Sequence, residues 1–315
     1  MTRVAAVDCG TNSIRLLIAD ADGRGGLRDV VRTLRLVRLG EGVDRTGRFG
    51  AEALERTLSA VRDYAELCRE HHVERIRFVA TSATRDAANR AEFTDAVAAI
   101  LGVPAEVIPG VEEAALSFRG ALTALENVPG MQHLVVDLGG GSTELVLGGS
   151  MPDSAYSMDI GCVRLAERYV HNDPPLPSEL ASIRRDVDAA LDIAVGTVDV
   201  SQAAEVIGVA GTVTTITALA LGLDSYDPIA ISGSRLPLHA VMDACDLLSR
   251  MPRAERAALP FMHPGRVDVI GAGAVIWSTV LQRVADATAA AGRPLEFVTT
   301  SEHDILDGVA LSLGA

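Results

Sequence analysis

Two short segments hold the residues best suited to chemistry. Val4 to Asp20 reads VAAVDCGTNSIRLLIAD, and residues 134–147 read LVVDLGGGSTELVL. Each is an apolar run ending in an aspartate (Asp8, Asp137), then a small polar turn, then a second apolar run. The turns are Gly10, Thr11, Asn12, Ser13 and Gly139, Gly140, Gly141, Ser142, Thr143. Glycine lets a backbone approach a phosphate and aim its N–H groups at it, and small hydroxyl or amide side chains add donors without bulk. An aspartate at the strand end can hold a divalent metal, and Mg2+ prefers one or two carboxylates plus phosphate oxygens. Either turn alone would pass for an ordinary hairpin loop. Together, with Asp137 lying 137 − 8 = 129 residues after Asp8, they form an internal repeat that implies two related α/β domains, each offering a loop to a phosphate chain. A weaker third signal is EVIGVAGTVTTITAL at 205–219, a strand, a Gly211-Thr212 turn and a helix whose N-terminus favours anions.

The elements that must carry these loops are legible in outline. The short turns predict hairpins, and the alternating residues 28–39 extend the first sheet. Residues 51–69 predict a helix burying Leu54, Leu58, Val61, Ala65 and Cys68. Arg75 to Ala80 predicts a strand leading into a helix from about Thr84, with Thr81 or Ser82 as its cap. A strand at 103–108 precedes a helix from Val111 to Leu122 with Glu112 and Glu113 in its first turn. Helices at 178–195, 267–285 and 302–313, and a strand at 295–300, complete the outline.

The totals agree with an α/β protein. The chain has 315 residues, 48% of them hydrophobic but only 3% aromatic, so its core is built from Ala, Val, Leu and Ile, which suits α/β layers. A net charge of −14 excludes a general nucleic-acid binder, and a phosphate substrate must be held by a local site. The cysteines at 9, 68, 162 and 245 form no CxxC pair, so neither a disulfide framework nor a zinc site is expected. No signal peptide is legible at Met1, and no apolar run approaches ~18 residues, which points to the cytoplasm and away from a membrane.

Some residues mimic other chemistries. Cys9 to Arg15 fits the C-x5-R spacing of cysteine phosphatases, but a strand rather than a helix follows, and Asp8 would raise the thiol pKa. Cys162 to Arg168 has the same spacing without the small residues of a phosphate loop. Arg28, Arg32, Arg35 and Arg38 read as the solvated face of an edge strand.

In order, VAAVDCGTNSIRLLIA, TSATRDA, GVEEA, VVDLGGGSTELV, DIGCVRL and VAGT span nearly the whole chain. This set resembles the exopolyphosphatase/guanosine pentaphosphate phosphatase family of the actin-like, sugar-kinase and Hsp70 superfold. The resemblance implies two ribonuclease H-like domains with mixed sheets flanking a central cleft: residues 1–124, with a C-terminal helix at about 299–315 returning to them, and 125–298. It implies phosphate contacts from Gly10, Thr11, Asn12 and Ser13, from Gly139, Gly140, Gly141, Ser142 and Thr143, and from Gly211 and Thr212. It makes Asp8, Asp137 and Glu144 metal residues for Mg2+ or Mn2+, with a monovalent cation also allowed. Arg85 is the arginine that grips substrate phosphate, and Glu113 is the base that deprotonates water. The dipole of its helix favours ionised Glu113, while burial and substrate phosphates push the other way.

The implied activity is metal-assisted hydrolysis of the terminal phosphate of inorganic polyphosphate. Many family members carry a further C-terminal helical module, and its absence before Ala315 favours short chains. Guanosine pentaphosphate is the alternative substrate, and a non-catalytic polyphosphate or alarmone sensor is the alternative class. A kinase or ATPase of the same superfold is disfavoured by Glu113 at the base position. A homodimer is compatible on general symmetry grounds.

Overall fold

The computed structural model describes residues 1–23, 26–124 and 130–314. The boundary expected after residue 124 falls against residues 125–129, and these, like residue 315, lie outside the described residues. The chain divides into two compact units, Met1–Gly120 with Ile305–Ala315, and Ala121–Asp304.

The first unit opens with the hairpin β1 (Thr2–Cys9) and β2 (Ser13–Ala21), in register so that Asp8 faces Arg15 and Cys9 faces Ile14. Strand β3 (Leu27–Leu36) adds antiparallel to β2. After helices α1 (Val43–Thr46) and α2 (Ala51–Glu70), β4 (Arg75–Ala80) pairs parallel with β1. Helices α3 (Ser82–Asp86) and α4 (Arg90–Leu101) lead to β5 (Ala105–Val107), parallel to β4, and then to α5 (Gly110–Ala121). The sheet order is β3-β2-β1-β4-β5. Strand β1 is central and buried on both faces, which is why its sequence is an unbroken apolar run. Its period of two is visible in the packing: Ala5, Val7 and Cys9 join one core cluster with Phe78 and Phe93, while Val4 and Ala6 face the opposite side.

The second unit repeats this plan. Strands β6 (His133–Leu138), β7 (Thr143–Gly148) and β8 (Pro152–Met158) form an antiparallel meander. Helices α6 (Cys162–Tyr169) and α7 (Pro177–Ala194) precede β9 (Glu205–Val209), parallel to β6. Then come α8 (Ala210–Leu221), α9 (Pro228–Ile231), β10 (Arg235–Pro237), α10 (Leu238–Arg250), α11 (Arg253–Ala258) and α12 (Ile270–Ala290). Strand β11 (Phe297–Thr300) closes the sheet β10-β11-β9-β6-β7-β8. Without β10, its order and strand directions match those of the first sheet, so both units have the ribonuclease H-like α/β arrangement of the actin-like superfold.

The last helix, α13 (Ile305–Leu313), packs in the first unit, where Ile305, Leu306, Val309 and Ala310 meet Val4, Ala6, Leu17, Ala19 and Val79. A Cβ on Gly308 would stand 2.0 Å from the Leu116 carbonyl oxygen, so α13 can lie against α5 only with glycine there. Arg77 Nη2 donates to Glu112 at 2.6 Å and its Nη1 to Ser312 Oγ at 3.1 Å, which gives Glu112 a structural role.

Several local readings are corrected by the structure. The buried face of α2 is rotated toward Ala53, Thr57, Ala60 and Tyr64, leaving Leu54 and Leu58 half-buried, because Tyr64 reaches inward to donate to Ile14 O at 3.0 Å. The helix expected from about Thr84 is two, α3 and α4, broken at Ala87. The arginines of β3 are ion-paired rather than simply solvated: Arg28 with Asp20 (2.6 Å), Arg32 with Asp307 (2.5 Å) and Asp29 (2.7 Å), and Arg35 with Asp63. Among the described residues no helix is long and apolar enough to cross a membrane.

Candidate functional site

In the first unit, the turn after Asp8 is tied down by the segment that follows β3. The Thr11 carbonyl accepts from Gly40 N at 2.8 Å, and the Asn12 carbonyl from Val37 N at 3.0 Å and Arg38 N at 2.9 Å. A trans peptide places its C=O and the next N–H on opposite sides. Pinning those two carbonyls therefore aims the N–H groups of Asn12 and Ser13 away from residues 37–40. Gly40 is required for this approach, since a Cβ there would lie 2.3 Å from Thr11 Cγ2. The Thr11 hydroxyl is buried and, among the described residues, has no hydrogen-bond partner, which leaves its donor available to a ligand.

Beside this turn, Asp8 Oδ2 accepts from Arg15 Nε at 3.0 Å and Nη2 at 2.6 Å. Glu113 Oε2 accepts from Arg85 Nη1 at 2.6 Å, and the same nitrogen donates to Ile108 O at 3.1 Å. Glu113 is only 7% exposed. Burial pushes its carboxyl up to about 7, against the opposing pull of Arg85; Asp8 raises it further, and a hydrogen bond from Thr81 lowers it. Burial thus outweighs the pull of Arg85 and Thr81, and the carboxyl sits above its ordinary range. Thr81 does occupy the cap position of α3, but its side chain makes no capping bond and serves Glu113 instead. Asp8, Arg85 and Glu113 are therefore brought together in this unit, with Arg15 and Thr81 as partners that sequence reasoning missed.

In the second unit, the Gly139–Ser142 turn is held by α6. Gly139 O accepts from Cys162 N at 3.1 Å, and Gly140 O from Val163 N at 2.9 Å and Arg164 N at 3.1 Å. Gly141 O accepts from Arg164 Nε at 2.8 Å. With three successive carbonyls facing α6, the N–H groups of Gly140, Gly141 and Ser142 face away from it together, an anion-binding concavity. The approach is close enough that a Cβ on Gly161 would lie 2.3 Å from Gly140 O. Thr143 is fixed by its hydroxyl to Ile160 O at 2.6 Å.

The third turn adjoins the second. The Thr212 hydroxyl hydrogen-bonds the Cys162 thiol, and a Cβ on Gly273 would lie 2.6 Å from Thr212 Cγ2. Ala210 has φ of 71°, a left-handed conformation that costs a non-glycine residue roughly 1–2 kcal/mol and recurs at functional sites. Over Gly211 lies Arg266: a Cβ on Gly211 would stand 2.4 Å from Arg266 Nη2. Arg266 Nη1 donates to Thr215 Oγ1 at 3.0 Å, whose hydroxyl in turn reaches Gly211 O at 2.6 Å. Arg266 is the cation at this turn, and it escaped sequence reading because it comes 55 residues later, in a stretch without clear periodicity.

Asp137 and Glu144 are direct cross-strand partners on β6 and β7, 6% and 1% exposed. Ser157 Oγ donates to Glu144 Oε1 at 2.7 Å. Two buried carboxylates side by side suit a hard divalent cation, so this pair fits Mg2+ or Mn2+. Asp8, the third expected metal residue, is bonded by Arg15, and among the described residues no group of three or more His, Cys, Asp or Glu side chains forms a metal cage. The cysteine alternatives fail: burial pushes the Cys9 thiol well up, aided by Asp8, and burial also raises Cys162.

The Ppx/GppA phosphatase family matches residues 17–289. The chain is 51% identical over 321 aligned positions to Exopolyphosphatase 2 of Mycobacterium tuberculosis (strain CDC 1551 / Oshkosh), covering 99% of each. Its structure is similar to the crystal structure of an exopolyphosphatase-like protein (TM-score 0.96, 49% identity, 99% and 98% of the two chains). It is also similar to the Aquifex aeolicus member of the Ppx/GppA family (TM-score 0.79, 29% identity, 99% and 97% coverage).

Proposed function

This chain belongs to the Ppx/GppA phosphatase family, and from that premise we propose that it is an exopolyphosphatase, cleaving the terminal phosphoanhydride bond of inorganic polyphosphate with water. The observation that carries this reading is Glu113, a buried carboxyl raised to about 7 and held 2.6 Å from Arg85. A base matched to neutral pH is what an attacking water needs, and a well-placed one is worth about 10²–10⁴ in rate.

In the proposed reaction, water attacks the terminal phosphorus, Glu113 takes a water proton, and the bridging P–O bond breaks with its electron pair passing to the shortened chain. Arg85 is drawn from Glu113 toward the incoming phosphate oxygens, and that release makes the carboxylate a stronger base. Within the first unit, the outward N–H groups of Asn12 and Ser13 and the Thr11 hydroxyl offer donors to phosphate oxygens; within the second, the N–H groups of Gly140, Gly141 and Ser142 and the Gly211-Thr212 turn do so, while the Thr143 hydroxyl, committed to Ile160 O, steadies its turn. Asp137 and Glu144 would hold Mg2+ or Mn2+, which supplies charge neutralisation on phosphate oxygens when bound. Phosphoryl transfer asks little else of a protein than such positioning and neutralisation.

The test is phosphate release from polyphosphates of several lengths and from guanosine pentaphosphate, each with Mg2+, with chelator, and with Glu113→Gln. Metal-dependent release from polyphosphate, lost in Glu113→Gln, is expected. Release from the nucleotide alone moves the function to alarmone turnover, and binding without release from either substrate leaves a sensor.

A further inference from the structure

The motif DIGCVRL has a job that phosphate chemistry alone does not assign. Its arginine, Arg164, contributes two donors to one loop: its backbone N–H bonds Gly140 O at 3.1 Å and its side-chain Nε bonds Gly141 O at 2.8 Å. The Gly141 contact is special within the turn. Gly139 O and Gly140 O are satisfied by the first-turn amides of α6, which any sequence there would supply. Among the described residues the hydrogen-bond partner of Gly141 O is a side chain, and three consecutive glycines have little else to fix their dihedrals.

Building on the proposed function, we infer that Arg164 is a positioning residue for substrate binding: by fixing the Gly141 carbonyl, it keeps the Ser142 N–H, the other end of that peptide group, aimed with those of Gly140 and Gly141. Without it, the Gly141–Ser142 peptide is free to flip, presenting a carbonyl oxygen where a phosphate oxygen must sit. The ligand class is a terminal phosphate of a phosphoanhydride chain. The side chain acts through the backbone and touches no reacting atom.

The experiment compares Arg164→Met, which keeps the aliphatic stem, with Arg164→Lys, whose ammonium can still donate to Gly141 O. In Arg164→Met, KM for tripolyphosphate should rise about tenfold or more, the scale of one lost charged-group hydrogen bond. Its melting temperature should stay near wild type, and Arg164→Lys should recover much of the loss. Hydrogen exchange at the Val163 and Arg164 amides, which bond Gly140 O, should quicken several-fold in Arg164→Met. An unchanged KM in Arg164→Met overturns the inference. Should wild type release no phosphate from any substrate, the functional reading has failed instead, and the exchange measurement decides: unchanged protection of these amides refutes the positioning role.

Discussion

Asp137 stands directly across the second hairpin from Glu144, at the place where, in the first hairpin, Asp8 stands across from Arg15. The two pairs are equivalent, since 137 − 8 and 144 − 15 both equal 129. One change of charge therefore separates two otherwise alike hairpins. The first is an internally neutral ion pair; the second sets two buried acids face to face, like charges that disfavour the pairing and that a bound cation would offset.

The metal should accordingly answer to the second hairpin. Glu144→Gln is expected to abolish most metal-dependent turnover. Ser157→Ala, which removes the 2.7 Å bond orienting Glu144, should weaken metal activation roughly tenfold and be rescued by excess Mg2+. A metal titration of activity checks both. Equal half-saturation in Ser157→Ala and wild type would remove Glu144 from the metal site.

The pH dependence follows from Glu113. Its native pKa, about 7, lies above the ordinary 4.5, so its contribution to stability is present in full below pH 4.5 and is lost as pH rises through about 7. Activity runs the other way, because only the ionised form accepts a proton. The rate kcat/KM should climb about tenfold per pH unit below 7 and level off above it. A profile already flat at pH 5 would show that another group is the base.

Thr81→Val tests the hydrogen bond to Glu113. That bond favours the ionised carboxylate, so its loss should move the inflection of the pH–rate profile to higher pH. A simple capping role would lower the melting temperature and leave the inflection in place.

Gly161→Ala should be costly in both fold and function. Its Cβ would meet the Gly140 backbone at 2.3 to 2.4 Å, and backbone cannot step aside as a side-chain tip can. Destabilisation of about 1–3 kcal/mol, the range for overpacking, is expected together with a raised KM for polyphosphate. Gly211→Ala is the contrast: its Cβ displaces only the Arg266 guanidinium, so KM should rise with little change in melting temperature.

Sequence made the loops legible because an apolar run, an aspartate and a glycine-rich turn are local signals, and their repetition revealed two units of one plan. Residues that hold those loops from a distance were opaque. Arg164 reaches back 23 positions to Gly141, Arg266 reaches back 55 to Gly211, and Val37 to Gly40 reach back to a turn across a whole strand. Thr81 was misread for a related reason: a threonine at a helix start signals a cap, and only the folded position of Glu113 shows where its hydroxyl goes. The rotation of α2 has the same origin, since Tyr64 turns inward to bond a carbonyl on β2.

The docking of α13 sets an order of events on the ribosome. The first unit lacks its closing helix until residues 121–304, 304 − 120 = 184 in all, have been made. At a synthesis rate of about 5–20 residues per second, that is an interval on the order of 10–40 s. Throughout it, the face of the sheet formed by Val4, Ala6, Leu17, Ala19 and Val79 awaits Ile305, Leu306, Val309 and Ala310. Chaperone demand during synthesis should therefore centre on that face, and the second unit, contiguous in sequence, should be first to reach a protease-resistant state.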